Sequence, residues 1–489
     1  MAAEGTDIRV FCTLDAPELL SELRRTFQSG RTKSQEWRLE QLHALLKMVM
    51  EQEDEIGKAL SLDLGKSAYE TYSCELALLI DSCKLAIKSL KKWMTPEQVS
   101  IALATVPSTA MIRPEPFGVA LIISAWNFPI ILALDPLVGA IAAGCAVVIK
   151  PSEIAPATSA FLAKMIPVYM DKEAIRVVEG GVQQITALLD QKWDKIFFTG
   201  NAKVGRIIMA AAAKHLTPVT LELGGKCPLY IDSTVDLKVA AKRIVIGKWG
   251  SSCGQACISP NHLLVEESFV PKLISTLKKT IVDFYGEDPH TSKDLAHVVN
   301  KNHFKRLTAL LDDPSTADKI IHGGERDEES LYIAPTLLLD VPLDAPIMNE
   351  EIFGPILPII TVKGPEEAID IIADQPKPLA IYVFTNDKVV QDQMVFKTSS
   401  GGMVINDAVL HFVCTSLPFG GVGESGMGAY HGKASFDAFS HRKSILYRGM
   451  SVEVYARYPP YTTKKQQIIR ALLSRDFVGL LLVLLGLRK

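Results

Sequence analysis

Val119-Ala120-Leu121-Ile122-Ile123-Ser124-Ala125 is an uncharged, almost wholly apolar run between Pro116-Phe117-Gly118 and Trp126-Asn127-Phe128-Pro129. Too short for an apolar helix and without polar alternation, it reads as a strand buried on both faces. The pattern repeats downstream. Residues 130–144 read as a helix, Val147-Val148-Ile149-Lys150 as a strand, 157–170 as a helix, Ile175-Arg176-Val177-Val178 as a strand and 182–189 as a short helix. A strand at Ile196-Phe197-Phe198, a helix over 205–216 and a strand over 219–223 complete the series. Such alternation predicts a parallel sheet covered on both faces, and right-handed crossovers make it a doubly wound, Rossmann-like domain.

Working outward, Asp15 before Ala16-Pro17 predicts a helix start and Gly30 its end. A second helix opens near Ser34, with Trp37, Leu42, Leu45, Leu46 and Ile56 as its core-facing stripe. A third covers 69–93, and residues 95–116, with Pro107, Pro114 and Pro116, read as an extended crossing or edge hairpin. On the other side a second alternation runs to about residue 402. Its helices are expected over 269–284, 302–311 and 366–373, and its strands over 334–339, 357–362 and 379–384. This is a second α/β domain.

A chain of 489 residues is too long for one core, so two or three domains are expected. Its 52 Lys and Arg nearly balance 55 Asp and Glu, and no long basic run carries interleaved aromatics, which excludes nucleic acid as the expected partner. Eight scattered cysteines without a Cys-x-x-Cys pair argue against a disulfide framework and for a reducing compartment. Ten histidines show no ligand spacing, so no catalytic metal is expected. Residues 1–7 lack the basic-then-apolar order of a secretory signal.

Gly250-Ser251-Ser252-Cys253-Gly254-Gln255-Ala256-Cys257-Ile258-Ser259-Pro260 sets a cysteine in a glycine-flanked loop. A lone cysteine is more often an apolar filler than a nucleophile. Upstream, however, Leu221-Glu222-Leu223-Gly224-Gly225-Lys226 places one carboxylate within an apolar strand, where an acid is either paired or at work. Cys257 and Glu222 together suggest covalent catalysis with a general base.

A Gly-x-Gly-x-x-Gly spacing occurs at Gly421-Val422-Gly423-Glu424-Ser425-Gly426, but no βαβ unit follows it, so it is not a phosphate fingerprint. The turn Phe198-Thr199-Gly200-Asn201-Ala202-Lys203-Val204-Gly205 is a better anion site, because a strand ends there and a helix N-terminus begins. Lys150 and Glu153 follow a strand at the sheet's carboxyl edge, which is consistent with ligand binding or with a capped helix start. Asn127 reads as a turn former or as an amide for an oxyanion. Asn406, in Ile405-Asn406-Asp407, reads as a structural turn.

Trp126-Asn127-Phe128-Pro129, Lys150-Pro151-Ser152-Glu153, Phe198-Thr199-Gly200-Asn201, Glu350-Glu351-Ile352-Phe353-Gly354-Pro355 and Pro418-Phe419-Gly420-Gly421, with the Glu222 and Cys257 segments, resemble the motifs of the aldehyde dehydrogenase superfamily in their order. Asn406-Asp407, Arg457-Tyr458-Pro459-Pro460, the short N-terminus and the apolar tail resemble its class 3 branch in the form of its plant members. The resemblance implies catalytic roles for Cys257, Glu222 and Asn127. It also implies a pyrophosphate turn at Gly200, Asn201 and Gly205, an adenosine-ribose contact by Lys150 and Glu153, and a nicotinamide-ribose contact by Glu351 with Phe353 packed beside it. The cofactor would be NAD, with NADP also accepted, and the assembly a homodimer.

The implied fold is α/β. A Rossmann-like cofactor domain takes residues 1–94 and 116–222, a second α/β catalytic domain 223–404, a small β oligomerisation element 95–115 and 405–450, and a basic, apolar tail 451–489. The implied reaction oxidises medium to long aliphatic or aromatic aldehydes to carboxylic acids through a cysteine thiohemiacetal and thioester. Two rivals are weighed against it: an idle binding or structural protein on the same fold, and a cofactor-independent thioester-forming hydrolase. One departure stands out. Many members carry an asparagine five residues before the nucleophile, where this chain has Ser252, followed by an extra thiol at Cys253.

In the tail, Phe477-Val478-Gly479-Leu480-Leu481-Leu482-Val483-Leu484-Leu485-Gly486-Leu487 is the most apolar run. As a helix it spans roughly 16 Å against a hydrocarbon core of roughly 30 Å, so it is too short to cross a bilayer. Arg457, Lys464, Lys465, Arg470, Arg475, Arg488 and Lys489 outnumber the nearby acids, which points to the cytoplasmic face of an internal membrane, the body of the protein staying in the cytoplasm. Docking on the protein itself is the alternative.

Overall fold

The computed structural model describes residues 12–102 and 105–487; the N-terminal residues 1–7 and the tail cations Arg488 and Lys489 read above lie outside them. The chain divides into two compact units, Met1–Leu90 with Pro116–Phe439, and Lys91–Glu115 with Ser440–Lys489.

The larger unit holds two parallel-type sheets. In the first, Val119–Ile123 lies at the centre, paired in parallel with Ala146–Lys150 on one side and Lys195–Thr199 on the other. Ile175–Val177 and Val219–Glu222 continue it outward, and Gly426–Met427 closes one edge antiparallel to Val219–Glu222. All residues of the three central strands are buried, as expected of a sheet covered on both faces. Each apolar side chain removed from water there contributes about 1.5–3 kcal/mol. The chain enters at the centre, proceeds to one edge, then returns to build the other. Val119–Ile123 and Lys195–Thr199 stay paired to their carboxyl ends, but the connections that leave them run to opposite sides and leave a crevice above the switch point.

The second sheet has seven strands, with Pro228–Ile231 and His262–Glu266 near its middle and Ile356–Val362 and Ala380–Phe384 beside them. Its core is built on Leu264, Leu307, Leu338, Ile360 and Ile381, separate from the core around Leu121, Val148 and Phe198 in the first sheet. Residues 405–439, grouped on sequence with 95–115, fall in this larger unit. Gly426–Met427 pairs with the Glu222 strand, and the helix Lys433–Ala438 packs on the helix Ile131–Ala143.

Some elements differ from the sequence reading. The stripe from Ser34 to Ile56 belongs to two helices, Gln35–Glu51 and Glu53–Leu64. Asp15 does not cap the helix Ala16–Gln28 with its side chain. The expected helix over 69–93 is three pieces: Ala68–Thr71, a π-helical turn Tyr72–Leu76 and Ala77–Met94.

The smaller unit carries a three-stranded sheet of Glu97–Val99, Ser108–Pro116 and Ser440–Arg448. Two helices follow, Thr463–Leu473 and Phe477–Leu484. The last stops before the expected residue 487 because Gly486 is left-handed (φ 72°) and the Leu487 N–H turns back to the carbonyl of Leu482.

Candidate active site

The helix Leu237–Trp249 delivers the chain to the cysteine loop. Ser252 and Cys253 both adopt left-handed φ, 50° and 51°, a conformation that asparagine tolerates better than serine or cysteine. The kink is held from outside: the Ser252 N–H donates to Oε1 of Glu70 at 2.6 Å. Gln255, fully buried, ties the loop down by donating to the carbonyls of Ser252 and His297 and accepting the N–H of Val299 at 3.0 Å. Cys257 emerges part-exposed where two cavities meet.

The larger cavity, about 830 Å³, opens at the crevice between the strands ending at Ile123 and Thr199. Every site residue expected from sequence lines it, namely Asn127, Lys150, Glu153, Gly200, Asn201, Glu222, Cys257, Glu351 and Phe353, with the exception of Gly205. A Cβ on Gly205 would stand 3.0 Å from Leu223 Cδ2, so this glycine allows its helix to pack closely on the Glu222 strand.

Glu222 is 1% exposed, and its carboxylate has no hydrogen-bond partner beyond the neighbouring Cys257 thiol. Burial pushes its pKa up to about 8; the Cys257 thiol pulls it partly back, and Glu351 pushes the same way as burial. Glu351 is raised to about 7 by burial against the pull of the Gly225 N–H, Arg306 and Lys248, and its Oε1 is likewise unpartnered. Burial, with Glu222 and Glu351 nearby, holds the Cys257 thiol well above the ordinary cysteine range. Asn127, buried in the turn that follows the strand Val119–Ile123, donates from Nδ2 to the carbonyl of Gln255 at 3.0 Å, leaving its second amide hydrogen for another acceptor.

Along the far wall, Lys150 Nζ donates to Glu153 Oε2 at 2.5 Å and to the Pro151 carbonyl at 2.8 Å. Asn201 caps its own helix, its Oδ1 accepting the Val204 N–H at 2.9 Å, while the Gly200 N–H is spent on the Glu222 carbonyl. The first-turn N–H groups of Ala202 and Lys203 remain without intrahelical partners, in a helix whose start, Gly200, Asn201 and Lys203, lines the cavity. Phe353, with φ 50°, packs edge-on against Trp126 at 5.4 Å. The volume, the helix N-terminus at the switch point, the Lys150–Glu153 pair and the orphaned Glu351 oxygen fit a dinucleotide.

The family model described as Aldehyde dehydrogenase family matches residues 13–445. The chain belongs to that family. It is 54% identical over 479 residues, 98% of this chain and 99% of the relative, to aldehyde dehydrogenase family 3 member H1 of Arabidopsis thaliana. Among solved structures, a substrate-bound Staphylococcus aureus AldH superposes with a TM-score of 0.90 at 42% identity, covering 93% of this chain and 98% of that one. A Mycobacterium tuberculosis aldehyde dehydrogenase complexed with NAD+ gives 0.82 at 26% identity, covering 91% and 92%. This aldehyde dehydrogenase thus oxidises aldehydes in an NAD(P)-dependent reaction, and the idle and cofactor-free rivals fall away.

The rejected Gly421–Gly426 spacing proves to be backbone packing: a Cβ on Gly426 would stand 2.2 Å from the Leu221 carbonyl, so the glycine lets this strand close the edge beside Glu222. Asn406 is a left-handed turn (φ 61°) whose Oδ1 accepts the Thr385 N–H, outside both cavities. Residues to which the sequence reading gave no site role include Trp126, His303 and Arg306 in the cavity wall, and the buried charges Lys66, Glu70 and Glu75. Glu75 had a signal: it shares a helical stripe with Leu79, Ser82, Ala86 and Leu90, all buried, where an acid is out of place unless partnered.

Proposed function

We propose that Cys257, Glu222 and Asn127 carry the oxidation. The Cys257 thiol gives its proton to water in the open cavity, the thiolate adds to the aldehyde carbon, and the carbonyl oxygen takes up negative charge that Asn127 Nδ2 and the Cys257 N–H hold. NAD(P), when bound, supplies the hydride acceptor. The oxidised adduct is a thioester on Cys257. Glu222 then takes a proton from water, the hydroxyl adds to the thioester carbon, the C–S bond breaks and the acid leaves. The observation that supports this reading is Glu222 itself, a buried carboxylate that faces the Cys257 thiol in a shared cavity and has no other partner. Lys150 and Glu153 hold the adenosine ribose, with Glu153 favouring NAD by repelling a 2′-phosphate, and Glu351 with Phe353 holds the nicotinamide end. Turnover followed by reduced-nicotinamide absorbance over short, long and aromatic aldehydes, with NAD and with NADP, tests the assignment: activity on the longer and aromatic aldehydes is expected, and silence with both cofactors would refute it.

The protein acts as a homodimer in the cytoplasm, with its tail on a membrane's cytoplasmic face. The edge strand Ser440–Arg448 is largely exposed, which suits pairing with a second copy. Among the described residues no helix is long and apolar enough to cross a membrane. Yet Phe477, Val478, Leu481, Leu484 and Leu485 are all more than half exposed, beside exposed Lys464, Arg470 and Arg475. That combination favours lying on an anionic surface. Deleting the chain from Phe477 onward should release the protein from anionic liposomes while keeping its rate on a small aldehyde; a full-length protein that never sediments with them excludes the anchor.

A further inference from the structure

We propose that Lys66 and Glu75 are positioning residues for the oxidation, fixing the Asn127 turn against the Cys257 loop; this rests on Asn127 being the oxyanion donor. Both side chains are fully buried, with Lys66 Nζ 2.7 Å from Glu75 Oε1. A pair removed from water must find further polar partners, and here all of them lie on one turn. Lys66 Nζ donates to the Asn127 carbonyl at 2.8 Å and stands 3.9 Å from the Phe128 ring centroid. Glu75 Oε2 accepts the N–H groups of Ile130 at 2.9 Å and Ile131 at 3.1 Å.

The turn needs such help. The helix Ile131–Ala143 begins on Ile130, whose side chain offers no acceptor, and every residue of the helix is buried, so water cannot serve its free N–H groups. Glu75 caps it from another helix and sets a carboxylate at its positive end, while Lys66 balances that charge and grips the turn at Asn127. Glu75 does so from the π-helical turn Tyr72–Leu76, a distortion that recurs at functional positions. The same stretch reaches the nucleophile loop through Glu70, which holds the Ser252 N–H. Residues 66–75 thus hold both the turn that carries the amide and the loop that carries the thiol.

A double-mutant cycle in the full-length enzyme tests this. Lys66→Met/Glu75→Leu removes both charges together; if that variant does not fold, Lys66→Met/Glu75→Gln, which also leaves no unpaired charge and keeps an acceptor for the helix start but frees the Asn127 carbonyl, serves in its place. The kcat/KM for aldehyde should fall about 100-fold, the loss that follows a misplacement of about 1 Å. The Kd for NADH and the iodoacetamide alkylation rate of Cys257 should stay at wild-type values. In an Asn127→Ala background the same change should cost nothing further, because both act through one contact. Wild-type kcat/KM beside a slow Asn127→Ala enzyme, a loss that multiplies with that of Asn127→Ala, or an equal loss of NADH affinity would each overturn the positioning role. An Asn127→Ala enzyme with wild-type kcat/KM would overturn the oxyanion reading itself, and this proposal with it.

Discussion

The two cavities that meet at Cys257 are opposites. One, about 830 Å³, is walled by Lys150, Glu153, Glu222, Arg306 and Glu351; the other, about 100 Å³, is walled by Leu78, Phe128, Leu132, Ile258 and Phe412. The first sits at the switch point of a parallel sheet, where strand ends and a helix N-terminus gather charge; the second lies among apolar helix and loop residues. On the proposed function, the charged wall would take the cofactor and the apolar wall the aldehyde, with Cys257 between them. The difference teaches which substitutions should alter cofactor use, which should alter substrate range, and which should stop both.

The largest effect belongs to the residue the cavities share. Cys257→Ala should lose all measurable aldehyde oxidation while binding NADH as tightly as wild type, measured by nucleotide fluorescence. Retained turnover would mean that the two cavities do not converge on this thiol.

Much of the charged side was legible, because short buried strands alternating with helices leave a plain signal and the strand-end motifs are local in sequence. The helix Leu237–Trp249 was not. Its apolar residues run nearly all round, with Val239 and Ile246 exposed, so no single stripe marks it. The break at Gln52 lacks a Gly or Pro and left the stripe continuous in sequence. The apolar cavity was illegible for a different reason: Leu78, Phe128, Ile258 and Phe412 come from distant segments that only tertiary folding gathers. Lys66 and Glu75 are nine residues apart, yet what they hold, residues 127–131, lies far along the chain.

On the charged side, Glu153→Gln should raise kcat/KM with NADP about 10-fold and leave the rate at saturating NAD unchanged, since the carboxylate that repels a 2′-phosphate is gone. Equal cofactor use by wild type and variant would remove Glu153 from discrimination. On the apolar side the effect should be smaller. Phe412→Ala should move the chain-length optimum toward longer aldehydes by about 5-fold in kcat/KM, because losing one of several apolar side chains from the wall costs about 1 kcal/mol in discrimination. An altered NAD-to-NADP ratio in this variant would contradict the division between the walls.

The most direct test of the central claim is the fate of the acyl group in Glu222→Gln. With the base gone, one turnover of reduced nicotinamide should appear at once, after which steady-state turnover should fall about 100- to 1,000-fold. Wild-type deacylation should rise with pH through about 8, the value to which burial lifts Glu222, because only the deprotonated carboxylate accepts water's proton; the variant should lose that rise. Peptide mass spectrometry of quenched and digested Glu222→Gln should find the acyl mass on the peptide carrying Cys257. A variant that turns over at the wild-type rate with an unmodified Cys257 peptide would contradict the account.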